Sequence, residues 1–67
     1  MIFEIQSQKG TEMAEAGSKE ELMFYISRAH KEKFGQLIGP YRIKVITEDQ
    51  IHFYKQNGVV LQNAYRQ

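Results

Sequence analysis

The chain has 67 residues, with nine Lys or Arg, eight Asp or Glu, two His and neither Cys nor Trp. A chain of this length makes one domain and buries only about 60% of the surface its unfolded form exposes, so its core supplies roughly 3–5 kcal/mol unaided. The absence of cysteine excludes disulfides and every thiolate zinc site, which leaves a partner subunit or a binding partner as the remaining supplement.

Apolar residues make up 42% and charged residues 25% of the chain, the proportions of an ordinary folded domain. No apolar run approaches the roughly 20 residues of a membrane-spanning helix. The N-terminus lacks the basic stretch and apolar core of a secretory signal, so the expected compartment is the cytoplasm. The net charge of +1 is unevenly spread: residues 1–27 carry five acids and two bases, whereas residues 28–67 carry seven bases and three acids. Such asymmetry points weakly to an anionic partner.

Along the chain, Met1–Gln8 alternates Phe3 and Ile5 with Glu4 and Gln6, the pattern of a half-buried strand. Lys9-Gly10 marks a turn, and Thr11–Gly17 is ambiguous between a short returning strand and a loop, its Glu and Ala content weakening the strand reading. Ser18-Lys-Glu-Glu21 is a capping box. It starts a helix that runs to about Phe34, where Gly35 suits a left-handed end. Helical spacing gathers Leu22, Met23, Ile26, Ala29, His30 and Phe34 on the core face. Phe24 falls on the opposite side, near Glu20, Arg28 and Lys31. The basic groups near the helix end, Arg28, His30, Lys31 and Lys33, complement the negative end of its dipole. Gly39-Pro40 prevents the helix from continuing.

From Tyr41 onward the period is two. Tyr41–Thr47, Ile51–Lys55 and Val59–Asn63 read as three strands joined by turns at Glu48-Asp49 and Asn57-Gly58. Apolar parity favours a three-residue Gln56–Gly58 loop, with Phe53 opposite Leu61 and Ile51 opposite Asn63. The expected fold is therefore α+β, a single domain over residues 1–67 in the order β-α-β-β-β. One helix packs on one face of a small, mainly antiparallel sheet, over Phe3, Ile5, Ile43, Val45, Phe53 and Leu61.

The chain is poorly equipped for catalysis. His30 and His52 lack neighbouring ligands at metal-binding spacing, so no metal is expected. Ser7, Ser18 and Ser27 lack a glycine elbow or an adjacent base, and the glycines are too dispersed to cradle a phosphate. No cofactor, small-molecule substrate or catalytic residue is expected.

Binding is better supported. The uncovered sheet face would present Arg42, Lys44, Ile46, His52, Tyr54 and Val60. That set could form an interface core with a basic rim, or a platform on which bases stack while Arg42 and Lys44 meet phosphates. The back of the helix, with Phe24, Arg28 and Lys31, is the second candidate surface. The expectation is a non-enzymatic interaction module, a regulator or inhibitor of the kind compact genomes such as phage encode. It would bind a protein partner or its own copy as a homodimer, and nucleic-acid binding is the alternative.

Overall fold

The computed structural model describes residues 1–66. Strand β1 (Ile2–Ser7) turns through Gln8-Lys9 into β2 (Gly10–Glu15), and helix α1 (Lys19–Phe34) follows. Strand β3 (Arg42–Ile46), helix α2 (Glu48–Gln56) and a short β4 (Leu61–Asn63) complete the chain. The sheet order is β3-β1-β2-β4. Strand β1 is antiparallel to both neighbours, and β4 runs parallel to β2. The radius of gyration, 11.3 Å, is close to the roughly 11 Å of one compact domain of this length. The class is α+β, as expected.

The ambiguous segment after Gly10 is thus a strand. Its partner β1 lies at the centre of the sheet, flanked by β2 and β3. Helix α1 forms where the capping box predicts. The Ser18 hydroxyl accepts from the Glu21 amide at 3.1 Å, and Gly35 takes a left-handed φ of 77° that closes the last turn. The Glu21 carboxylate reaches the Gly17 amide rather than that of Ser18. Helix α1 buries Leu22, Ile26 and His30, the first two packed with Phe3, Ile5, Ala14 and Ala16.

One element departs from the period-two reading. Residues 48–56 are helical, so the sheet has no Ile51–Lys55 strand and no Phe53–Leu61 pairing. Thr47-Glu-Asp-Gln50 is itself a capping signature: the Gln50 side chain accepts from the Thr47 amide at 3.1 Å. At the other end, Val59 N–H bonds the Tyr54 carbonyl and Gly58 N–H that of Lys55. Gly58 sits at φ 81°, which completes a Schellman cap. Helical spacing brings Ile51 and Tyr54 onto Ile2, Met13 and Ile46, with Val59 and Leu61 beside them, and turns Phe53 outward at 58% exposure. Nine residues make a marginal helix alone, so this packing decides the conformation.

The sheet is therefore covered on both faces, by α1 on one and α2 on the other. Phe3, Ile5 and Ile43 face α1 as expected. Val45 shares that side by register but lies on the edge strand, exposed. Leu61 packs on the α2 side. The two readings of residues 48–56 differ measurably. Ile46→Ala should cost about 2–5 kcal/mol in urea unfolding. Phe53→Ala should change stability by less than about 0.5 kcal/mol. The meander would reverse that ranking.

Candidate functional site

Two arrangements bring functional groups together, one inside the molecule and one outside. The inner one is built on His30, which is 2% exposed on the core face of α1. A buried imidazole requires a partner for each ring nitrogen, and both are supplied. Nε2 lies 2.6 Å from Glu12 Oε2 on β2, and Nδ1 lies 2.8 Å from the Tyr41 hydroxyl. That hydroxyl also accepts the Ile38 amide at 3.0 Å. Gln62 of β4 donates to the second Glu12 oxygen at 2.9 Å and accepts from Tyr25 of α1 at 2.9 Å. With the imidazole proton assigned to Nε2, Tyr41 donates to Nδ1 and His30 to Glu12, so both ring nitrogens are satisfied.

An acid, an imidazole and a phenol in line have the components of an acid–base device. Burial of the imidazole keeps its ring nitrogens on their protein partners. The arrangement ties α1 to β2, to β4 and to the connection before β3. His30, gathered onto the core face by helical spacing, is one of its fully buried members.

The outer arrangement lies between α1 and the segment that follows β4. A cleft of about 730 Å3 is lined by Phe24, Tyr25, Arg28, Asn63, Ala64, Tyr65 and Arg66. Phe24 is 48% exposed and Tyr65 44%. The Arg66 guanidinium lies 4.2 Å from the Phe24 ring centre and that of Arg28 5.9 Å, both within cation–π range. The C-terminal segment is held in place by buried Ala64, whose amide donates to the Glu15 carbonyl at 2.8 Å, and by the Tyr65 hydroxyl on Glu15. Glu21 completes the attachment, its carboxylate accepting the Gly17 amide at 2.6 Å and the Arg66 amide at 2.9 Å.

The structure distributes the sequence-predicted residues unevenly. Phe24, Arg28 and Lys31 lie on the outer side of α1, as the helical spacing indicates, and Phe24 and Arg28 help line the cleft. Arg42 and Lys44 are exposed on edge strand β3. Ile46 is 4% exposed and belongs to the core beneath α2. Tyr54 packs there too, its hydroxyl donating to the Glu4 carboxylate. That bond, followed by burial, holds the phenol above its usual pKa. His52 is exposed on α2, 3.9 Å from the Phe53 ring, and Val60 is exposed in the connection to β4. These six residues therefore do not form one open sheet face, because α2 occupies the position assigned to a strand.

Sequence reasoning missed Tyr65 and Arg66, which carry no periodic signal and reach Phe24 only through the sheet. It missed Glu12, Tyr41 and Gln62 as partners of His30 for the same reason. A histidine on an apolar helix face was the available clue. Among the described residues no three metal-ligating side chains cluster, and no helix is long and apolar enough to cross a membrane. Comparison with protein-family models, curated proteins and solved structures finds no match.

Removing the Tyr41 hydroxyl strands both His30 Nδ1 and the Ile38 amide. Tyr41→Phe should therefore cost about 1–3 kcal/mol in urea unfolding. The two backbone amides on Glu21 hold its carboxyl below the usual glutamate pKa. The unfolded chain thus binds this proton more readily than the folded one. Glu21's contribution is complete above the unfolded-state pKa and is lost as pH falls through the depressed folded value. In acid titrations followed by NMR, the Arg66 and Gly17 amides should lose their hydrogen-bonded shifts below the ordinary glutamate range, and Glu21→Gln should abolish that step.

Proposed function

We propose that the chain is a non-enzymatic protein-interaction module whose contact surface is the outer face of α1 together with the C-terminal segment. The observation that carries this reading is the aromatic–arginine cluster of Phe24, Tyr65, Arg28 and Arg66, held half-exposed on a well-anchored support. Tyrosine and arginine are enriched among the residues that dominate binding energy at protein interfaces, and Phe at the interfaces themselves. Here a helix and three hydrogen bonds from the tail, donated by the Ala64 amide, the Tyr65 hydroxyl and the Arg66 amide, pre-organise the cluster, which reduces the ordering cost of binding.

The competing chemistries have less support. Among the described residues the one imidazole–carboxylate pair is built into the core. The aromatics that would have stacked bases beside Arg42 and Lys44 belong to α2, and Tyr54 is engaged with Glu4. We place the module's work in the cytoplasm, where a small domain without cysteine has no disulfide to lose. A regulator or inhibitor that acts by occupying a surface is the role such a domain suits.

A photo-crosslinking benzoylphenylalanine at Phe24, activated in the native cells, tests the reading. It should give one dominant protein adduct, and the same probe at Phe53 should not. An adduct to nucleic acid, or none from position 24, would overturn the proposal.

A further inference from the structure

The exposed stripe of α1 reads Glu20, Phe24, Arg28, each four residues from the next. Such residues form one inclined ridge on a helix, of the kind that interdigitates when two helices pack. The ridge has an unusual charge order: an acid, an aromatic and a base, with Phe24 at its middle. At about 1.5 Å of rise per residue, Glu20 and Arg28 stand about 6 Å to either side of Phe24 along the axis. Among the described residues neither Glu20 nor Arg28 lies within ion-pair distance of an opposite charge. Beyond Arg28, Lys31 extends the basic end, and Glu21 adds to the acidic end.

From this self-complementary order we infer that the occupant of the α1 surface is a second copy of this chain, packed antiparallel about a two-fold axis at Phe24. The inference rests on the interaction reading above. The two-fold sets Phe24 against the partner's Phe24 and each Glu20 against the partner's Arg28, so one patch complements itself twice over. An isologous contact requires that property. Lys31 meets the acidic start of the partner helix. The two C-terminal segments flank the seam, with Arg66 on the Phe24 ring. The sheet offers no better self-pairing, because Arg42 and Lys44 blunt the exposed edge strand β3.

Charge reversal tests the geometry directly. Purified wild-type protein should show a concentration-dependent monomer–dimer equilibrium in sedimentation velocity. Phe24→Ala should weaken it by about tenfold or more without loss of the far-ultraviolet dichroism. Glu20→Arg and Arg28→Glu should each be monomeric, since each sets like charges against like across the axis. Mixed in equal amounts, the two variants should form a heterodimer, because both cross-axis pairs are then opposite in sign. A wild-type monomer, reversed variants that still self-associate, or a mixture that stays monomeric would each overturn the inference. If the purified protein is monomeric and Phe24 still cross-links to a different protein in cells, the second copy is overturned and the interaction reading stands.

Discussion

A single imidazole sealed inside a very small core sets the terms for the rest of this structure. His30 is 2% exposed on the inner face of α1, beside the Phe34 and Tyr41 rings, where water cannot complete its hydrogen bonds. A polar group left unsatisfied in such a place costs about 1–3 kcal/mol. A domain of this size has roughly 3–5 kcal/mol in all. Each of the two partners, Glu12 and Tyr41, therefore carries a large share of the stability, and each comes from a different part of the chain. Their second contacts, to Gln62 and the Ile38 amide, spread the same requirement to β4 and to the connection before β3. The hydrogen-bond chain orders the elements around α1, a specificity that apolar packing of so few residues would not provide.

The two-sided sheet is the other consequence of small size. Ile2 and Phe3 are both buried, and so are Met13 and Ala14, because successive side chains on the central strands enter different core layers. Helix α2 supplies the second layer with Ile51 and Tyr54. In doing so it uses up the sheet face that a three-strand meander would have left open. The outer side of α1 stays uncovered, and there Phe24 is displayed beside the Arg28 and Arg66 guanidiniums instead of being packed.

The legible part of the site was the part that lies on one helix. Phe24, Arg28 and Lys31 are separated by multiples of the helical repeat, so their common outward direction follows from the spacing alone. Ile46, His52, Tyr54 and Val60 were grouped with Arg42 and Lys44 by a period-two pattern over residues 41–63. That pattern holds for β3 and β4 but is also compatible with a short helix, since Ile51 and Tyr54 satisfy the helical period as well as Ile51 and Phe53 satisfy the strand period. Thr47 and Gln50 carried the evidence for the helix start. Glu48-Asp49, read as a turn, is its acidic first turn.

By itself the sequence determined α1 from cap to cap, its inner and outer faces, the absence of covalent or thiolate support, and the α+β class. These depend on bonds within a few residues, such as Ser18 with the Glu21 amide or the glycine conformation at Gly35. The tertiary structure alone decided that residues 48–56 coil, that β4 joins β2 in parallel, that His30 is bridged by Glu12 and Tyr41, and that Arg66 lies on Phe24. In each case the local sequence is compatible with more than one conformation or pairing. The difference comes from contacts between residues far apart in the chain, which exist only once the sheet has formed. Sixty-seven residues without cysteine leave no covalent constraint to make that choice, so apolar burial on two sheet faces and one buried hydrogen-bond chain make it.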